Sequence, residues 1–227
     1  MSNKVLGPVA RDSVEARLLA GETNTLTEHE LLEALLARGK RQRRNVSRQA
    51  KRLLERFGSL GGVISEDAEL LLETPCMDEK AILLFRLAHS IATHLTREQV
   101  RTRTVISSTR ELVDYCRVVL GYQRLERFLV FFLDSKNALI ADELQQRGMP
   151  AYVPVFPREI IKRALVLNAS SIILVHNHPS GDPCPSSEDI RTTNSIIRLA
   201  EPLGLRVLDH LIISRSRHLS FKERGLM

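Results

Sequence analysis

The stretch Ile172-Ile173-Leu174-Val175-His176-Asn177-His178-Pro179-Ser180-Gly181-Asp182-Pro183-Cys184-Pro185-Ser186-Ser187-Glu188-Asp189 constrains this chain more than any other. Its aliphatic start predicts a buried strand, and strand side chains alternate faces, so His176 and His178 project to the same side. The Pro, Gly and Ser residues that follow predict a tight loop, and Ser186 with Glu188 and Asp189 predicts a helix start. Strand, turn and helix N-terminus thus deliver two imidazoles and a carboxylate to one point. Three protein ligands with a fourth position left for water is the pattern of a catalytic zinc site. A single histidine after an apolar strand is commonly just a satisfied structural residue; the pairing at i and i+2 and the following carboxylate favour a metal. Asp182 and Cys184 are rival ligands, since a His/His/Cys set is also reasonable. Asp189 has a second reading as the partner of Ser186 in a capping box, although Asp is shorter than the usual reach-back residue.

A chain of 227 residues with 43% apolar side chains can build its core without staples. Cys76, Cys116 and Cys184 are odd in number and far apart, and no charged-then-apolar signal segment opens the chain, so a reducing, cytoplasmic setting is expected. No apolar run approaches the ~18 residues a membrane span needs. The formal charge of +6 permits an anionic partner. Most of the surplus lies between Arg38 and Arg56, where nine basic residues face one acid, Glu55. Arg48, Lys51, Arg52 and Arg56 form a cationic ridge on a helix whose other side carries Val46, Ala50, Leu53, Leu54 and Phe57. Arg44, Arg48 and Arg52 are the candidate nucleic-acid contacts, with a solvated helix face as the bland alternative. With no tryptophan and 4% aromatics, a base-stacking platform is not expected.

The helical patterns run through the first half: a short helix at 14–20, a capped one at Glu28–Ala37 opened by Thr27-x-x-Glu30, the basic helix ended by the glycines around Gly58-Ser59-Leu60-Gly61-Gly62, then 67–72 and 79–94. Residues 98–104 show no apolar face and are expected to be a linker between a helical domain, 1–97, and a second domain, 105–227. There short strands alternate with helices: 105–106, 128–133, 138–142, 171–175 and 206–214, plus a short closing pair at 218–221, with helices at 108–120, 158–167 and 187–203. Asp134-Ser135-Lys136-Asn137 predicts an antiparallel hairpin. The fold class is α/β (α+β), a mixed central sheet flanked by helices. His210, between Val207, Leu208, Leu211 and Ile212, reads as a buried structural histidine in preference to a supporting role at the site.

His176-x-His178, seven residues, Ser186, two residues and Asp189 match the His-x-His-x7-Ser-x2-Asp signature of JAMM metalloprotease (MPN) domains, whose sheet is deaminase-like. With Pro157-Arg158-Glu159-Ile160, Leu167 to Ser171, His178 to Pro183 and Leu208 to Ile212, residues 105–227 resemble the bacterial RadC family. The contiguous letters His176-Asn177-His178 are not an HNH nuclease motif, whose residues are dispersed. The resemblance implies that His176, His178 and Asp189 hold one Zn2+ per chain, that Ser186 hydrogen-bonds the developing oxyanion, and that an upstream glutamate serves as general base and then acid. Glu126, just before the 128–133 strand, occupies that place; Glu143 is the competitor. The implied activity is hydrolysis of an amide or isopeptide bond in a peptide or protein substrate. The alternative is a DNA-associated repair or recombination accessory with a structural or nuclease-type metal. Leu53 to Leu60 resembles the helix-hairpin-helix region that precedes the RadC domain. At the hairpin position, Thr74 to Glu79, both expected glycines are absent and two acids stand instead, which suits packing or protein contacts better than phosphate.

Overall fold

A computed structural model of the chain describes residues 14–39, 45–75, 77–102, 109–145 and 156–227. It divides into two units, Met1–Ser90 and Ile91–Met227. In the first, α1 (Val14–Leu19) precedes α2 (Glu28–Gly39), α3 (Val46–Phe57), α4 (Leu60–Ser65), α5 (Ala68–Leu72) and the start of α6 (Glu79–Thr102). The expected capping box opens α2: Glu30 N–H donates to Thr27 Oγ1 at 3.2 Å and Thr27 N–H to the Glu30 carboxylate at 2.8 Å. Leu32 and Leu36 of α2 pack with Val46, Ala50, Leu53 and Phe57 of α3, the stripe expected from their spacing. Gly58 ends α3 at φ 85°, a conformation glycine takes without strain. Gly61 and Gly62 do not share that task. They lie inside α4, where Ser59 Oγ accepts the Gly62 N–H at 3.1 Å.

The linker expected over 98–104 is a second difference. Over its described part, 98–102, the chain continues α6, and the unit boundary falls earlier, within that helix. One residue carries the apolar side there: Val100 is fully buried, while Arg97 donates to the buried carboxylate of Asp142. Residues 103–104, like the expected strand at 105–106, lie outside the described residues.

In the second unit, α7 (Thr109–Leu120), β1 (Phe128–Leu133), β2 (Leu139–Gln145), α8 (Pro157–Val166), β3 (Ser171–Asn177), α9 (Ser187–Ala200), β4 (Arg206–Ile213) and β5 (His218–Ser220) follow in order. The sheet order is β2-β1-β3-β4-β5. Only β3 and β4 are parallel, joined through α9; the other neighbours are antiparallel. The hairpin turn is made as expected: Asp134 Oδ1 accepts the N–H groups of Lys136 and Ala138, both at 2.8 Å.

Every residue of β1 and β3 is buried, because helices cover both faces of the sheet. Leu129, Phe131, Leu133, Ile173 and Val175 pack on Leu112, Val113 and Cys116 of α7. Phe128, Val130, Phe132, Ile172 and Leu174 pack on Ile160 and Ala164 of α8 and Ile196 and Ala200 of α9. By alternation His176 belongs to this second face, the one α9 covers. Among the described residues no helix is long and apolar enough to cross a membrane, and Cys116 and Cys184 are free thiols.

Candidate metal centre

His176 is the last inward-facing residue of β3, 4% exposed and stacked on Phe128 with ring centroids 5.9 Å apart. His178 follows just past the strand end, with its N–H bonded to the Ile213 carbonyl at 3.0 Å. The chain then turns back through Gly181, at φ 88°, so that the Asp182 carbonyl reaches His178 Nδ1 at 2.9 Å. A carbonyl only accepts, so His178 Nδ1 carries a proton and its Nε2 is left for the site.

Asp189 comes from the first turn of α9, and the capping-box reading holds there despite the shorter side chain. Asp is long enough to close the capping box: Ser186 Oγ accepts the Asp189 N–H at 3.1 Å, and Asp189 Oδ2 accepts the Ser186 N–H at 2.7 Å. The capping and ligand readings coexist because the carboxylate divides its oxygens. Oδ2 also takes the Ser186 hydroxyl proton at 2.7 Å, while Oδ1 stands 3.1 Å from His176 Nε2.

The donor set fits a metal. The two Nε2 atoms are 3.0 Å apart, and His178 Nε2 is 3.5 Å from Asp189 Oδ2. Ligands at 2.0–2.2 Å from a tetrahedral Zn2+ stand roughly 3.3–3.6 Å from one another. One ligand atom from each of His176, His178 and Asp189 falls within 4.8 Å of the others, and this is the one such group among the described residues. The rivals are otherwise engaged: Asp182 Oδ1 accepts the Cys184 N–H at 3.3 Å, and Cys184 is exposed and outside the cluster.

The electrostatics match an anion held between imidazoles. Burial pushes the Asp189 carboxyl up, but the neighbouring His176 and His178 rings and the Ser186 hydroxyl outweigh it and hold the group well below the usual carboxylate range. The Asp189 hydrogen bond raises the His178 pKa against the opposing effect of burial, and the Asp182 carbonyl and the Asp189 and Glu126 carboxylates add to the rise.

Glu126 enters through strand register. Phe128 pairs with His176 across β1 and β3, and Glu126, two residues before Phe128, is near enough to His178 for its carboxylate to add to the rise of that ring's pKa. Asn177 holds that segment in place. Its Oδ1 accepts the Arg127 N–H at 2.7 Å, and its Nδ2 donates to the carbonyls of Leu125 at 3.1 Å and Gln123 at 3.3 Å. Asn177 went unremarked in the sequence, although an amide closing a wholly buried strand must find partners somewhere. The competitor Glu143 pairs with Val130 in register and is held by Arg163, whose Nε lies 2.9 Å from both its oxygens.

His210 has partners that the sequence did not show. It is buried as expected, yet its Nε2 lies 2.8 Å from His176 Nδ1 and its Nδ1 lies 2.6 Å from Thr193 Oγ1. Burial drives its pKa well below the ordinary histidine value, so the ring is neutral. Thr193 had a legible signal, four residues after Asp189 on the apolar side of α9.

The nucleic-acid candidates belong to the first unit. Arg48 and Arg52 are exposed on α3, and Arg44 lies outside the described residues. Arg56, the fourth member of the ridge, turns to Glu73 at 2.9 Å and Thr74 at 3.0 Å. At the former hairpin position, Asp78 Oδ1 accepts the Ala81 N–H at 2.8 Å and so caps α6.

Comparison with known proteins identifies the family. A model of the RadC-like JAB domain matches residues 106–226. A UPF0758 protein of Rhodobacter capsulatus is 46% identical over 211 residues, covering 93% of this chain and 98% of its own length. A UPF0758 protein of Ruegeria pomeroyi is 44% identical over 217 residues, covering 96% of each. With the signature, the sheet and nearly full-length relatives in agreement, the chain belongs to the RadC family of proteins with a JAB (MPN-type) domain.

Proposed function

We propose that this protein is a zinc-dependent hydrolase that cleaves an amide or isopeptide bond in a peptide or protein substrate. The observation that carries the reading is the convergence of His176, His178 and Asp189 within 4.8 Å; the effect of the Glu126 carboxylate on His178 supports the choice of base. His176 Nε2, His178 Nε2 and an oxygen of Asp189 hold the ion. When bound, Zn2+ supplies Lewis acidity and brings the pKa of a water toward neutrality.

The chain supplies the rest. Glu126 takes a proton from the attacking water and returns it to the leaving amine nitrogen, a task worth about 10²–10⁴ in rate. Its exposed position at the end of β1 leaves it accessible to substrate. Ser186 donates to the carbonyl oxygen as it gains charge, worth about 10²–10³. To do so it turns its hydroxyl from Asp189 Oδ2, while its backbone N–H keeps the cap.

The test begins with elemental analysis of the purified protein beside Asp189→Asn. One zinc per chain, lost in the variant, is expected; a parent without metal overturns the reading. The zinc-loaded protein is then incubated with mixed linear and lysine-isopeptide-linked peptides in ¹⁸O-water, and with supercoiled DNA. Cleavage that places ¹⁸O in a new carboxylate, abolished in a Glu126→Gln variant that retains zinc, supports hydrolysis. Nicking of DNA without peptide cleavage moves the activity to nucleic acid.

A further inference from the structure

His176 is a useful ligand only while its Nε2 is bare, and nothing in β3 itself decides which of its nitrogens carries the proton. Its Nδ1 meets another imidazole, His210, which can donate or accept. The ambiguity is resolved one step further along. Thr193 Oγ1 lies 2.6 Å from the Asp189 backbone carbonyl, which can only accept, so the single hydroxyl proton goes there. The Thr193 oxygen must then accept from His210 Nδ1, 2.6 Å away. That leaves His210 Nε2 as an acceptor for the His176 Nδ1 proton at 2.8 Å. With a metal bound, His176 Nε2 would then be bare and directed at the ion; it lies 3.0 Å from His178 Nε2 and 3.1 Å from Asp189 Oδ1.

We infer that His210 and Thr193 are a positioning pair, a proton-ordering relay that sets the tautomer of His176 for metal binding. The inference rests on the metal reading above. The relay is closed on itself: the residue whose carbonyl orders it, Asp189, is also a ligand. Run in the opposite sense, with Thr193 donating to His210, the chain would protonate His176 on Nε2 and block the site. Ordering by a second residue on a ligating histidine is a general device for fixing ring orientation, here supplied by a neutral imidazole wedged between Phe128 and Phe221, with ring centroids 5.6 and 4.6 Å away. Packing alone does not account for a fully buried ring whose two nitrogens both meet polar atoms.

The test reads tautomers and metal affinity. Imidazole ¹⁵N spectra of the zinc-loaded parent should show His210 and His176 protonated on Nδ1 and not on Nε2; a proton on His210 Nε2 overturns the relay. Thr193→Val keeps the shape of the side chain but removes the acceptor, and should weaken zinc binding, measured by chelator competition, by ~10–100-fold, while Thr193→Ser stays within ~3-fold of the parent. His210→Gln, which keeps an acceptor for His176 Nδ1, should bind more tightly than His210→Leu. Circular dichroism confirms that each variant compared is folded. Unchanged affinity in Thr193→Val overturns the relay while leaving the hydrolase reading intact. A parent that takes up no zinc removes the hydrolase reading and the relay with it.

Discussion

Asn177 Oδ1 accepts the Arg127 N–H at 2.7 Å, so the residue between the two candidate ligands also holds the segment that carries Glu126. One strand end therefore positions both the metal ligands and the proposed base. Asn177 is 1% exposed, and its replacement by Ala leaves the Arg127 N–H without its partner, a cost of about 1–3 kcal/mol. The expected outcome for Asn177→Ala is full zinc occupancy with turnover lowered as much as ~10²-fold, the size of effect a small misplacement produces. Zinc content and kcat measured on the same sample check it; loss of zinc with normal turnover per bound ion would contradict it.

The site predicts opposite pH responses for metal-free and zinc-loaded protein. In the metal-free chain the Asp189 pKa is lowered, so its contribution to stability is present above its unfolded value near 3.9 and lost as pH falls. The His178 pKa is raised, so its contribution is present below about 6.5 and lost as pH rises through the folded value. The metal-free Tm should therefore decline from pH 6 to pH 8 relative to Asp189→Asn. Zinc needs His178 unprotonated, so apparent zinc affinity should rise over the same interval. Thermal scans at several pH values, with and without zinc, measure both. Parallel profiles for parent and variant would refute the prediction.

Ser186 carries two tasks that one substitution separates by size. Ser186→Ala removes the N-cap of α9, costing about 0.5–2 kcal/mol, and removes the proposed oxyanion donor, costing about 10²–10³ in kcat. Ser186→Asp restores a capping side chain but not a hydroxyl donor. Its Tm should recover while kcat stays low; recovery of both would mean that capping alone explains the residue.

Arg97 and Tyr115 both donate to Asp142, whose side chain is 5% exposed. Asp142→Ala strands the Tyr115 hydroxyl in a buried setting and should lower stability by about 1–3 kcal/mol. Denaturant titration measures that loss. Zinc affinity per folded molecule should not change, since Asp142 lies on β2 and outside the ligand group.

The mixed sheet, its hairpin and the ligand set were legible because each depends on short spacings. Alternation along 172–178 and the capping interval from Ser186 to Asp189 decide where those side chains point whatever else the chain does. The extent of α6 was not legible, since a single buried valine at 100 and a partner at Asp142, 45 residues beyond Arg97, replace the apolar stripe that a sequence reader looks for. Nor were the hydrogen-bond partners of His210. Its flanking apolar residues report burial, but its partners, His176 and Thr193, lie 34 and 17 residues away.

The sequence by itself determined which atoms can bind a metal: two imidazoles at i and i+2 and a carboxylate at a helix start, each placed by local geometry. Only the tertiary structure decided what surrounds them. The pairing of β1 with β3 brings the segment that carries Glu126 to the end of β3, Asn177 pins that segment, and the parallel pairing of β3 with β4 brings His210 beside His176. These are meetings between distant segments, set by which faces must be buried together, and no spacing within one segment encodes them.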